Sequence, residues 1–137
     1  MEPAQRTAEP SLRRDLVSFL LDFPAFVVII GLAGFFWRYP LVLAICFLAL
    51  TSFLLWRWWS PALLVYFLVG FLLGPAGELL AVRFGAWTYA GTDLIPVWLP
   101  FAWGTSAIYL KRTGDALTRI AGPWAARKAP RSAGGKA

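Results

Sequence analysis

The chain has no histidine, one cysteine and only seven acidic side chains among its 137 residues. The absence of histidine removes the usual haem ligand, the commonest ligand of zinc and every histidine-based catalytic triad. Because Cys46 is alone, it can form no internal disulfide, and its apolar surroundings predict a small buried side chain. The sequence also contains no glycine-rich phosphate motif, metal-ligand spacing or nucleophile elbow. We therefore predict no metal site and no cofactor.

Charged residues are scarce as well, at 15% of the chain against the quarter that is usual in soluble domains. Hydrophobic residues make up 59%, the mean hydropathy is +0.64, and there are eight tryptophans and eleven phenylalanines. Such an aromatic load is typical of membrane interfaces. A net charge of +6 would fit nucleic-acid binding, but most of the basic residues flank apolar runs, and membrane topology accounts for them. We therefore predict no nucleic-acid binding.

Apolar runs of membrane-crossing length divide the chain, since a bilayer core requires roughly 20 apolar residues in a helix. We predict an all-α fold, a polytopic transmembrane helix bundle of about four spans within residues 12–112, joined by short loops. The predicted spans are residues 16–37, 41–55, 62–82 and 96–110.

The two ends of the chain are polar and contain proline, glycine and basic residues. We predict a disordered N-terminal tail over residues 1–11 and a basic, largely disordered C-terminal tail over residues 113–137. Lys111 and Arg112 are expected to end the fourth span, and residues 115–121 could form a short interfacial helix.

Asp22 precedes Phe23 and Pro24 inside the first apolar run. The favoured interpretation is that Asp22 caps a helix that begins near Phe23, because a capping aspartate before an N-terminal proline is common. The alternative is one long helix kinked at Pro24, with Asp22 facing the bundle interior.

The basic residues are distributed unequally between the two predicted faces. The two opposite loops carry only Arg38 and Arg83. The tails and the second loop carry eleven basic residues, namely Arg6, Arg13, Arg14, Arg57, Lys111, Arg112, Arg119, Arg127, Lys128, Arg131 and Lys136. The positive-inside rule therefore predicts that both termini lie in the cytoplasm.

Three glycines in the third span, Gly70, Gly74 and Gly77, follow small-residue spacings that allow another helix to approach closely. Packing within the bundle is the favoured interpretation. The alternative is an interface with a second copy or another protein.

Glu78 is the only acidic residue deep inside the apolar run that follows Asp22. An ionisable group within a span costs on the order of 2.5–3.5 kcal/mol, so it usually has a partner or a function. One interpretation makes Glu78 a structural acceptor for tryptophan or tyrosine donors, or a partner of Arg83. The other makes it a catalytic general acid beside an apolar cavity.

Four aromatic residues follow Glu78, namely Trp87, Tyr89, Trp98 and Trp103. Their first expected role is to anchor the chain at the membrane interface. Their density also predicts the wall of a binding pocket for a flat or long apolar ligand.

Glu78 is followed by the segment FGAWTY at residues 84–89 and by PVWLPFAW at residues 96–103. This arrangement resembles the signature region of small uncharacterised bacterial inner-membrane proteins. More remotely, it resembles the carotenoid-biosynthesis membrane family that includes bisanhydrobacterioruberin hydratases. In that family a membrane glutamate precedes an aromatic segment of this kind, and a proline and a tryptophan follow in the next span. The resemblance implies that the last two spans share the family's fold.

Three functions follow from these observations. The preferred one is a non-enzymatic accessory or lipid- or isoprenoid-binding module that is surrounded by membrane lipids. The second is a membrane enzyme acting on an isoprenoid or carotenoid-like substrate, with Glu78 as general acid. The third is a small proton-coupled transporter that uses the same carboxyl group.

Overall fold

The structure is a computed structural model that describes residues 12–92 and 94–128. Helices dominate these residues, and the predicted all-α fold is confirmed. The helices are α1 (Leu12–Phe36), α2 (Pro40–Arg57), α3 (Pro61–Arg83) and α4 (Leu99–Lys128). Within the described ranges, the only β feature is an isolated bridge between Tyr89 and Thr92, in the connection from α3 to α4.

The starts of α2 and α3 are set by proline. Pro40 and Pro61 occupy the first turn of their helices, where the missing N–H costs nothing because it would have no partner in the helix. Ser60 caps α3, and its side chain accepts a hydrogen bond of 3.2 Å from the backbone N–H of Leu63. Pro61 is therefore the first residue of α3, directly after its cap.

The first helix is continuous through Pro24, so the favoured prediction that Asp22 caps a helix beginning near Phe23 was wrong. Proline removes one helical hydrogen bond, but ending the helix there would leave several more backbone groups unpaired in apolar surroundings. The direction of the Asp22 side chain lies outside what the structure describes.

The fourth helix does not end at Lys111 and Arg112, where the fourth span was predicted to end, but continues to Lys128 over 30 residues. Local bonds support the continuation. Lys111 forms an ion pair with Asp115 one turn later, and the Thr118 hydroxyl donates to the Gly114 carbonyl at 2.8 Å. Residues 113–128 are thus helical rather than disordered. The predicted tail at residues 1–11 and the remainder at 129–137 lie outside the described residues.

The central element of the bundle is α4, which packs against α1, α2 and α3, while α1 also packs against α2. Two clusters of buried side chains hold these helices together. Ile29, Leu43 and Phe47 form the cluster between α1 and α2, on which the chain around Trp98 packs. Leu54, Leu63 and Ile108 form the second cluster, to which α2, α3 and α4 each contribute one residue.

A buried pair of threonines joins α2 to α4. The hydroxyl oxygens of Thr51 and Thr105 lie 2.6 Å apart, and both residues are buried. Thr105 donates its proton to the Phe101 carbonyl at 2.7 Å, so Thr51 is the donor within the pair. Both buried hydroxyl groups therefore have a partner, as polar groups in an apolar interior require.

Among the described residues, two helices, α2 and α3, are long and apolar enough to cross a membrane, and most of each lies outside the packed core. The apolar part of α1, Phe23–Phe36, is shorter. By length and composition the structure therefore contains two candidate membrane-spanning helices.

Candidate functional site

The connection between α3 and α4 begins with a glycine turn that directs the chain back along α3. Gly85 has a positive φ of 74°, a conformation that glycine adopts without steric cost. The N–H of Ala86 donates to the Ala81 carbonyl at 2.9 Å, and the N–H of Gly85 donates to Val82 at 3.0 Å. This pair of bonds is a Schellman motif, which satisfies the last carbonyl groups of the helix. The turn allows the following residues to approach Glu78.

Glu78 accepts two hydrogen bonds from that connection, both at the same carboxylate oxygen. The indole Nε1–H of Trp87 donates to Oε2 at 3.1 Å, and the Tyr89 hydroxyl donates to Oε2 at 2.8 Å. The predicted bonding of Glu78 to tryptophan and tyrosine donors is confirmed. Arg83 is exposed and forms no ion pair with Glu78 in the described part of the chain.

The environment of Tyr89 keeps its hydroxyl protonated. Burial is the largest cause that raises the pKa of Tyr89 to about 12, and the hydrogen bond to Glu78 and the charge of Glu78 add to it. A hydrogen bond from Trp87 acts in the opposite direction. At neutral pH Tyr89 is therefore a hydrogen-bond donor, as the carboxylate of Glu78 requires.

A cleft of about 440 Å³ lies between α3 and α4, and we refer to it as the α3–α4 cleft. Its lining is almost entirely apolar, and Glu78 is its one acidic residue. The lining residues are Tyr66, Val69, Gly70, Leu73, Gly74, Gly77, Glu78, Trp87, Trp103, Ala107 and Leu110.

The glycines of α3 have different environments in this cleft. A Cβ atom on Gly70 would lie 2.6 Å from the Ala107 Cβ, and one on Gly74 would lie 2.3 Å from the Trp103 Cγ. Both glycines therefore allow α3 to approach α4 closely, which agrees with the favoured interpretation of packing within the bundle. A Cβ on Gly77 would meet no atom within 4 Å, so Gly77 lies beside open space. A role of the three glycines in binding a second chain stays a prediction.

The structure separates the four aromatic residues that the sequence grouped with Glu78. Trp87 and Trp103 line the α3–α4 cleft, while Tyr89 borders a second cavity of about 580 Å³ on the side of Trp37 and Arg38. Trp98 also borders this second cavity and stacks on Phe47, with ring centroids 6.2 Å apart. Trp98 therefore belongs to the helix core and the second cavity rather than to the cleft.

Tyr66 is a cleft residue that the sequence reasoning missed. A shallow groove of about 430 Å³ shares Tyr66, Ala107 and Leu110 with the cleft and extends it toward Lys111 and Asp115. The Lys111 ammonium group lies 5.5 Å from the centroid of the Tyr66 ring. Helical periodicity could have identified Tyr66, because positions 66, 70, 74 and 77 recur on one face of a helix.

Comparisons of the chain with protein-family models, with curated proteins and with solved structures gave no match. The resemblance to carotenoid-biosynthesis membrane proteins therefore stays a prediction. Among the described residues, no group of histidine, cysteine, aspartate or glutamate side chains could hold a metal ion.

Proposed function

We propose that this protein is a small multi-pass membrane protein whose α3–α4 cleft binds an apolar, lipid- or isoprenoid-like chain. The observation that carries the proposal is the cleft itself, which is elongated along two helices and lined by glycine, aliphatic and tryptophan side chains. Sites for small molecules are usually concave and mostly apolar, with a few polar groups that orient the ligand. Glu78 is the group that could do so here.

The membrane location is supported by the apolar side chains on the outer faces of the helices. Phe35 is 84% exposed, Trp56 77% and Leu73 67%. Soluble monomers seldom expose apolar surface on this scale, whereas lipid would cover it. Connections of only three residues, 37–39 and 58–60, join α1 to α2 and α2 to α3. We therefore propose that all four helices cross the bilayer, including the shorter apolar parts of α1 and α4.

We further propose that both termini lie in the cytoplasm of a bacterial cell, because eleven basic residues flank one face and two flank the other. The guanidinium carbon of Arg112 lies 3.6 Å from the ring centroid of Trp58. This contact agrees with the α2–α3 turn and the middle of α4 lying at the same side of the membrane. A periplasmic reporter fused at Gly91 should be active, and the same reporter fused after Ala137 should be silent. The reverse pattern would refute this orientation.

In the proposed function Glu78 has a structural role. By accepting hydrogen bonds from Trp87 and Tyr89, it holds the α3–α4 connection against α3. Trp87 thereby stays in the lining of the cleft, to which Trp103 also belongs. The protein is then a non-enzymatic binding or accessory module, in which the carboxylate positions an aromatic wall.

Binding can be tested with geranylgeraniol, a C20 isoprenoid alcohol, added to the purified protein in phosphatidylcholine nanodiscs. Quenching or enhancement of tryptophan fluorescence should saturate, because Trp87 and Trp103 line the cleft. Gly77→Leu should abolish saturable binding, since it adds a side chain to open space inside the cleft. Gly31→Leu is the matched control, because Gly31 also has open space around it and does not line the cleft. Equal binding by both variants would refute the proposal.

One observation favours an enzyme as the second candidate. The Oε1 atom of Glu78 accepts no hydrogen bond from any described residue, although Glu78 borders an apolar cleft. A carboxyl group with one free oxygen could donate a proton to an isoprenoid or carotenoid-like substrate. A Glu78→Gln variant that folds and binds geranylgeraniol but fails to complement a deletion strain would favour this candidate over the binding module. A transporter would use the same carboxyl group and stays a prediction.

A further inference from the structure

The negative charge of Glu78 has no cationic partner in the described part of the chain. Its two hydrogen-bond donors, Trp87 and Tyr89, are neutral, and Arg83 forms no ion pair with it. Hydrogen bonding satisfies one carboxylate oxygen and leaves the other open. Charges inside apolar surroundings are usually paired, because the low dielectric makes an unpaired charge costly. The cleft therefore offers a carboxylate that a positively charged ligand would complement.

The charges along the cleft give it a direction. At its far end, where the shallow groove continues it, Lys111 is paired with Asp115, so these two charges cancel. Glu78 is the one charged residue in the lining of the cleft itself. The positively charged group of a ligand would be attracted to the end of the cleft at Glu78 and not to the end at Lys111.

The walls beside Glu78 are aromatic. Trp87 is 48% exposed and Trp103 is 39% exposed, and both line the cleft. Tryptophan faces attract organic cations more strongly than other aromatic rings do. A carboxylate that shares a cleft with two accessible indole rings is thus suited to a cation whose charge is shielded by apolar groups.

We propose that the ligand of the α3–α4 cleft is a lipophilic organic monocation of the ammonium or phosphonium type. Its charged centre lies beside Oε1 of Glu78, and its apolar body lies along the face of α3 from Gly70 to Gly77. This inference rests on the proposed function, because it names the ligand class of the same cleft. A neutral alcohol would gain at most a hydrogen bond to Oε1, and an anion would be repelled by Glu78.

The test uses two probes of the same shape and opposite charge, tetraphenylphosphonium and tetraphenylborate. Equilibrium dialysis against the full chain in phosphatidylcholine nanodiscs gives the affinity of each, after subtraction of binding to empty nanodiscs. Tetraphenylphosphonium should bind saturably at one site, and tetraphenylborate should bind at least 10-fold more weakly. This comparison needs no variant, so it does not depend on the folding of a mutant.

Variants then locate the site. Glu78→Gln should weaken phosphonium binding at least 10-fold, because it removes the charge and keeps an oxygen of similar reach. Asp115→Asn is the matched control, since it removes one negative charge at the other end of the cleft. It should leave binding unchanged within 2-fold. Gly77→Leu should abolish binding of the phosphonium probe by filling the cleft.

Equal affinities for the two probes, or a Glu78→Gln variant that binds the phosphonium as the wild type does, would overturn the inference. If geranylgeraniol binding is still lost in Gly77→Leu under those results, the proposed function stands and only the charge of the ligand is wrong. If neither geranylgeraniol nor the phosphonium responds to Gly77→Leu, both proposals fail.

Discussion

Replacing Gly74 by alanine tests the packing of α3 against α4, on which the shape of the cleft depends. The added Cβ would lie 2.3 Å from Cγ, 2.5 Å from Cδ2 and 2.7 Å from Cβ of Trp103. These atoms are at the base of the indole side chain, which cannot move without shifting the helix or changing rotamer. Overpacking of this kind typically costs about 1–3 kcal/mol.

Gly77→Ala is the matched control for Gly74→Ala. Both substitutions lie in α3, and both line the same cleft, so both gain the roughly 1 kcal/mol by which alanine exceeds glycine in a helix. That gain cancels when the two variants are compared, because both have it. Gly77→Ala carries no packing cost, since the Cβ of residue 77 meets nothing within 4 Å. We therefore expect Gly74→Ala to be less stable than Gly77→Ala by about 1–3 kcal/mol, the overpacking cost alone.

The measurement is reversible unfolding in mixed micelles of dodecyl maltoside and sodium dodecyl sulfate, followed by tryptophan fluorescence. A second arm uses Trp103→Ala, which removes Cγ and Cδ2, the two nearest atoms that the new Cβ would meet, and keeps Cβ at 2.7 Å. In that background Gly74→Ala should lose part of its cost, giving a coupling energy of about 1 kcal/mol. Equal stabilities of Gly74→Ala and Gly77→Ala, together with no coupling to Trp103, would refute the close approach of the two helices.

Three further predictions concern polar groups. Glu78→Gln should leave stability close to that of the wild type, whereas Glu78→Ala should cost about 1–3 kcal/mol by leaving the donors of Trp87 and Tyr89 unpaired, as thermal unfolding in detergent would detect. The pKa of Tyr89 is raised from 10.0 to about 12, so its contribution to stability should be full below pH 10 and should be lost as the pH rises from 10 to 12. Absorbance titration at 295 nm, compared with Tyr89→Phe, should show the late ionisation of the Tyr89 hydroxyl. Glu78→Gln should shift this ionisation to lower pH. Thr105→Val should cost about 1–3 kcal/mol because it leaves the buried Thr51 hydroxyl without its partner, and adding Thr51→Val should recover part of that loss in the same unfolding assay.

Local rules explain what could be read from the sequence about the helices. Proline at the start of α2 and α3, and Ser60 before Pro61, act within one turn of chain, so their effects are visible in the residues themselves. The same holds for the all-α class, which follows from the lengths of the apolar runs. The same local reasoning failed at Pro24, near which a helix was expected to begin, and after Arg112, where a disordered tail was expected; the helix continues at both places. At these two places the cost of breaking a helix exceeded the local preference.

The contact between Glu78 and its donors was also predictable, because the amino-acid types leave few choices. A carboxylate in an apolar helix requires donors, and the segment that follows supplies indole and phenol groups but no histidine. What the sequence could not determine is which of the four aromatic residues would reach it. Trp87 and Tyr89 do, because the turn at Gly85 returns the chain over α3. Trp98 instead stacks on Phe47 of α2.

The sequence by itself determined the helical class, the apolar surface, two of the helix starts and the need of Glu78 for hydrogen-bond donors. Only the tertiary structure decided that Gly70 and Gly74 face α4 while Gly77 faces open space, and that Trp103 and Tyr66 share one cleft with Glu78. The reason is that periodicity assigns residues to a face of a helix, whereas the rotation and separation of two helices depend on every contact between them. The α3–α4 cleft exists because of that rotation and separation, so no pattern within α3 or α4 alone could predict it.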